Sequence, residues 1–117
     1  MKYSSQQLEH FYNALHAGKL DENHSTVIVV EEGSGDRGNV VRLYLQIQNK
    51  KIRVVKFLAY GSVALIACCE YVCRYLEGKT IDEAIRLSTD TIMQDLGMST
   101  VEIHNAIWIV RLVKKSL

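Results

Sequence analysis

The chain contains no proline at all. It also shows no low-complexity tract and no internal repeat, so nothing marks a linker, and residues 1–117 are expected to form a single domain. A surplus of either charge is missing as well. Fourteen basic residues against 13 acidic ones leave a net charge of +1. The basic clusters are Lys50-Lys51 and Lys114-Lys115, too small to track a phosphate backbone or hold an anionic membrane surface. Long apolar runs are scarce. Phe57 to Leu76 is the nearest to one, but Gly61-Ser62 interrupts it near the start and Glu70 and Arg74 near the end. What remains is shorter than the roughly 20 residues a bilayer core requires, which favours a buried helix. The first residues lack the apolar segment of a secretory signal. Cysteine is sparse and clustered: Cys68, Cys69 and Cys73 lie within six positions. A secreted disulfide framework spreads an even number of cysteines along the chain, so a reducing cytosol is the expected compartment.

What is present suits a packed globule, with 48% apolar and 23% charged residues. Leu8, Phe11, Tyr12 and Leu15 fall at helical spacing and predict a helix over residues 4–16, with Gly18 as its stop. Thr26 to Glu31 is β-branched and reads as a strand; Gly33 to Asn39 reads as a loop. Val41, Leu43, Leu45 and Ile47 alternate with Arg42, Tyr44 and Gln46, the period of a strand with one buried face. A turn over Gln48 to Lys51 returns the chain along Ile52 to Leu58, forming a hairpin. The second half is helical. Ser62 is an N-cap for a helix reaching about Leu76, which Gly78 closes. Thr80 with Glu83 and Ser99 with Glu102 are capping-box pairs. A short helix is expected over Asp90 to Leu96, then a final one with an apolar stripe of Ile103, Ala106, Ile107, Val110 and Val113. Glu70 and Arg74, spaced i,i+4, read as an exposed ion pair. Strands first and helices afterwards predict an α+β domain: a three-stranded antiparallel sheet with helices packed on one face.

Four segments carry chemical interest. They are Glu32 to Val40, Tyr60-Gly61-Ser62-Val63-Ala64-Leu65-Ile66-Ala67, Gly78-Lys79-Thr80-Ile81-Asp82-Glu83-Ala84, and Ile103-His104-Asn105. In order and spacing they resemble the NifU-like (IscU) iron–sulfur cluster scaffold family, whose corresponding segments read C-G-D, Y-G-C-x-x-x-I-A, G-K-x-x-x-E-A and I-H-C. The resemblance covers nearly the whole chain and implies the same α+β fold. It implies a pocket in which thiols, an aspartate and a histidine surround a cluster. Carried over without gaps, the ligand-equivalent positions are Arg37, Asn39, Ser62, His104 and Asn105, so only the histidine matches. A shifted register, Ser34-Gly35-Asp36 for C-G-D, would retain Asp36 as a carboxylate.

The chemistry of those residues is poor for a cluster. Iron–sulfur clusters are normally held by thiolates. A guanidinium stays protonated and cannot ligate a cation, and amide oxygens are weak partners for iron. His104, Asp36 and Ser62 remain as weak metal candidates. Cys68, Cys69 and Cys73 lie roughly 9 Å or more along the helix from its Ser62 cap, and core packing is the expected role of such thiols. His10, His16 and His24 are expected to be solvated. In the family's IscU branch a Leu-Pro-Pro-Val-Lys segment recruits a chaperone; here the aligned stretch is Met98-Ser99-Thr100-Val101-Glu102, without either proline or the lysine. The reading is therefore a scaffold-like protein with a degenerate cluster site, no resident cofactor and no catalytic residue. It would act through contacts with a protein partner, such as a cysteine desulfurase or another cluster-assembly component, and not with nucleic acid or membrane. The alternative is iron or a [2Fe-2S] cluster on replaced ligands around His104. A serine–histidine hydrolase built from Ser62 and His104 lacks a third orienting acid and a nucleophile elbow.

Overall fold

The computed structural model describes residues 3–34 and 38–117. Its elements are α1 (Ser5–Tyr12), β1 (Val27–Ser34), β2 (Asn39–Gln48), β3 (Lys51–Tyr60), α2 (Val63–Leu76), α3 (Ile81–Ala84), α4 (Thr89–Asp95) and α5 (Ile103–Ser116), the last preceded by a 3₁₀ turn over Thr100–Glu102. The strands form one antiparallel sheet in the order β1-β2-β3. The α+β architecture expected from the pattern is the one observed.

Antiparallel pairing places Val41, Leu43 and Leu45 of β2 opposite Glu32, Val30 and Ile28 of β1, all on the face that the helices cover. The core is built from those β2 residues with Ile52, Val55 and Phe57 of β3, Leu65, Val72 and Leu76 of α2, and Ile109, Leu112 and Val113 of α5. Each such side chain contributes about 1.5–3 kcal/mol by leaving water. The β2–β3 turn is tighter than expected. Asn49 and Lys50 both adopt positive φ, 54° and 60°, the backbone of a two-residue turn whose twist matches the strands it joins. Where β1 meets β2, Gly33 has φ +106°, and a Cβ there would sit 2.2 Å from the Asn39 carbonyl oxygen, so no other residue fits. This also extends β1 to Ser34, past the loop start expected at Gly33.

Several expectations are corrected. The first helix ends at Tyr12, capped by Asn13, well before Gly18. Its buried residue is Gln7, whereas Tyr12 and Leu15 stand in solvent at 75% and 78% exposure. The helical stripe was misplaced because α1 is too short to carry Leu15. Tyr44, on the side of β2 expected to face water, is buried. The guanidinium of Arg42 lies 5.5 Å from its ring centroid and donates to its hydroxyl at 3.1 Å. Arg42 is in turn held by Glu22 at 3.2 Å, from the segment that precedes β1. On α5, Ile103 and Ile107 are exposed, and the buried face instead carries Asn105, Ala106, Ile109, Val110, Leu112, Val113 and Ser116.

The largest correction concerns Glu70. It is completely buried. Its carboxylate accepts from the His16 backbone N–H at 3.0 Å, pairs with His16 Nδ1 at 2.7 Å and accepts from Arg74 Nε at 2.8 Å. Arg74 continues to Glu9 on α1 with bonds of 2.7 and 3.0 Å. His16 is thus no solvated histidine: its Nε2 meets Glu77 Oε1 at 3.2 Å. The neighbouring backbone follows, with Phe57 N–H donating to His16 O and Gly18 N–H to Phe57 O. Residues 16–18 are thereby stitched along the outer edge of β3.

Candidate functional site

The capping box at Ser99 sets the site's geometry. Glu102 Oε1 accepts from Ser99 N–H and hydroxyl, each at 3.2 Å, and fixes where α5 begins. The first turn of α5 then presents His104 and Asn105 towards the end of the β1–β2 hairpin. Between them lies an open cleft of about 520 Å³, lined by Glu32, Gly33, Asn39, His104, Asn105, Ile107, Trp108 and Arg111. His104 is exposed and Asn105 almost fully buried.

Glu32 is the electrostatic centre of this cleft. Its Oε1 accepts from Trp108 Nε1 at 2.9 Å and from Arg111 at 3.0 Å, while Lys115 Nζ stands 3.7 Å from Oε2. The indole donor, then the two cations, hold this carboxyl below the usual carboxylate range. Sequence reasoning missed Glu32, Trp108 and Arg111 as site residues. A signal existed: His104, Trp108 and Arg111 follow one another at four and three residues, so a helix places them on one face.

Of the residues singled out from sequence, the cleft brings together His104, Asn105 and Asn39. Ser62 is not among its lining residues. Ser62 is exposed, and its hydroxyl oxygen accepts from Leu65 N–H at 3.1 Å as the N-cap of α2. Gly61 keeps that cap close: a Cβ on it would lie 2.6 Å from a Leu65 methyl and 2.9 Å from Asn39 Oδ1. Asp36 and Arg37 fall outside the described residues. Cys68, Cys69 and Cys73 are free thiols buried in the core, as expected of packing residues. Burial pushes the Cys68 thiol up to about 12 and the other two well above their ordinary value, so none is a ready thiolate. Cys68 Sγ lies 3.6 Å from Met98 Sδ. Among the described residues no group of three or more His, Cys, Asp or Glu side chains is placed to hold a metal ion. Among the described residues no helix is long and apolar enough to cross a membrane.

This fold and this order of segments have relatives. The family model for the NifU-like N-terminal domain matches residues 2–116. The chain belongs to the NifU-like N-terminal domain family. Among curated relatives, the iron–sulfur cluster assembly protein IscU of Plasmodium falciparum is 32% identical over 102 residues, covering 87% of this chain and 63% of that protein. The scaffold protein IscU of Haemophilus influenzae is 29% identical over 108 residues, covering 92% of this chain and 86% of the relative. The chain thus spans about three fifths of the first of these relatives and most of the second. In fold it matches the crystal structure of a putative scaffold protein for the SUF system from Fervidobacterium islandicum, with a TM-score of 0.65 at 22% identity, covering 96% of this chain and 82% of that one. It also matches a NifU-like N-terminal domain from Brucella abortus, with a TM-score of 0.59 at 19% identity, covering 96% and 78% of the two chains.

Proposed function

We propose that this NifU-like domain is an iron–sulfur cluster assembly scaffold-like protein that retains no cluster and works through protein contacts. One observation carries the reading: every cysteine of the chain is packed in the core, and none lines the cleft. The positions where the family resemblance expects thiols hold Arg37, Ser62 and Asn105. Among the described residues, the donors that line the cleft are an imidazole, two amides and a carboxylate already engaged by an indole and two cations. Such a set does not fit a sulfide cluster, which requires several soft, anionic ligands. The partner we favour is a component of cluster assembly, a cysteine desulfurase being the first to test, and the compartment is a reducing cytosol in which the thiols stay free. Release by a dedicated chaperone has no support, because the stretch Met98 to Glu102 lacks both prolines and the lysine of the segment that recruits one.

The reading of iron or a [2Fe-2S] cluster on His104, Asp36 and Ser62 draws less support. Ser62 already uses its oxygen as a helix cap. That same bond argues against Ser62 as a hydrolytic nucleophile, and no catalytic role is assigned. Anaerobic reconstitution with iron, sulfide and a desulfurase is the decisive measurement. The expected product is colourless protein without stoichiometric iron and sulfide; a full-occupancy cluster overturns the proposal. Metal analysis of wild type against His104→Ala separates the alternative, which requires iron that the substitution removes.

A further inference from the structure

The sheet has two edges, and the fold treats them differently. The edge of β3 is covered: residues 16–18 pair alongside Phe57, and Gly78 and Lys79 exchange backbone bonds with Ile52. Along β1 the only strand pairing among the described residues is with β2; of its outer backbone groups Val27 N–H donates to His24 O at 3.1 Å, in the turn that leads into the strand, and none from Val29 onward meets another described segment. An edge left in this state presents a row of unpaired N–H and C=O groups, and natural edges are normally blunted by proline, lysine or a bulge. The sequence Val27-Ile28-Val29-Val30-Glu31-Glu32-Gly33-Ser34 carries no proline or lysine. Ile28 stands 39% exposed on the helix-covered face of this edge.

The geometry points to β1 as the docking site for an extended segment of a protein partner, added as a fourth, antiparallel strand that runs past the mouth of the cleft. The inference rests on the protein-contact reading above. Charge selects the occupant. On the helix face, beside Glu32, the exposed cations Arg111 and Lys115 share a single carboxylate among the described residues, leaving a positive surplus that an acidic side chain would meet. On the opposite face Glu31, more than half exposed, shares the Arg42 guanidinium with Glu22 at 3.4 and 3.2 Å, leaving a negative surplus that a basic side chain would meet. Between them Ile28 and Val30 call for apolar residues at alternate positions.

A second copy of this chain suits the edge less well. β1 carries two carboxylates and no basic residue, so in no register of a two-fold antiparallel pairing does the β1 strand of a second copy set a cation opposite Glu31.

The test titrates the full chain with a short end-blocked peptide, Asp-Lys-Val-Thr-Val-Thr, written to place its acid opposite Glu32 and its lysine opposite Glu31. Backbone amide shifts are followed by NMR. A second peptide carries N-methyl groups at alternate residues, on the edge that faces β1. The expected result is saturable shifts confined to β1 and the cleft, with binding about tenfold weaker for the methylated peptide and for Arg111→Glu. Shifts that are absent, that map away from β1, or that ignore N-methylation overturn the proposal. So does a concentration-dependent dimer that Ile28→Lys dissolves, because a second copy is then the occupant. The two readings fail separately. A cluster retained on reconstitution removes the protein-contact argument, whereas peptide silence removes only the strand-addition mode.

Discussion

Glu70 and Glu32 hold similar company in different solvents. Each carboxylate accepts from a cation and from a neutral or aromatic N–H: Arg74 and His16 for Glu70, Arg111 and Trp108 for Glu32. Glu70 is wholly buried and joins α2 to α1 and to the segment over the β3 edge, whereas the side chain of Glu32 is 22% exposed and opens on the cleft. The difference separates architecture from function. A buried charge that has lost its hydration shell must keep every partner, so its cluster is fixed. A half-wet carboxylate can exchange a partner for water or for a ligand at little cost, which is what a docking surface requires.

The strongest test of that contrast removes one cation from each cluster. Arg74→Met leaves Glu70 buried with His16 alone and is expected to cost about 2–4 kcal/mol of unfolding free energy in urea. Arg111→Met, on the exposed cluster, is expected to stay within about 1 kcal/mol. Equal losses would mean that the two clusters do the same work. Glu9→Gln breaks only the outer end of the Arg74 chain and should be milder than Arg74→Met.

Next in size is His16→Ala. It removes one side-chain partner from Glu70 and one from Glu77, and an effect of about 1–3 kcal/mol follows from leaving a buried acceptor short of a donor. Hydrogen exchange checks where the loss falls. The Phe57 and Gly18 amides, bonded through the 16–18 segment, should lose protection before the centre of β2 does. Uniform loss across the sheet would show that His16 supports global stability and not this edge in particular.

Much of the fold was legible because it is written locally. Alternation in β2, the β-branched run of β1, the Ser62 cap and the two capping boxes all use neighbours within a few residues. The partners of Glu70 were not legible. Glu70 and Arg74 four residues apart look like any surface pair, and the deciding partner, His16, lies 54 positions away. The face of α5 failed for another reason. Apolar residues at Ile103, Ile107, Trp108, Ile109 and Leu112 surround most of the helix, so periodicity alone leaves its rotation open, and packing on α2, α4 and β1 selects it. The candidate site was half legible. His104 and Asn105 stood out by their spacing to the earlier segments, but the Glu32–Trp108 and Glu32–Arg111 contacts join residues 76 and 79 positions apart.

The smallest effects lie at the cleft itself, where they are also the most diagnostic. Trp108→Phe keeps the ring's bulk while removing the N–H that most strongly lowers the Glu32 carboxyl, and a loss of about 0.5–1.5 kcal/mol is expected at neutral pH. Glu32→Gln supplies the sign. A carboxyl whose folded-state value is depressed favours folding when ionised, so its contribution is complete above the ordinary carboxylate value of 4.5 and drains away as pH falls through the lowered one. Wild type should therefore lead Glu32→Gln at pH 7 by no more than about 1 kcal/mol, since water screens this partly exposed group, and the gap should close on acidification. A gap that is constant with pH would mean that Glu32 acts by shape or hydrogen bonding alone. Arg111 and Lys115 would then stand uncompensated by its charge, and an acidic visitor at the β1 edge would meet two cations and not the surplus of one.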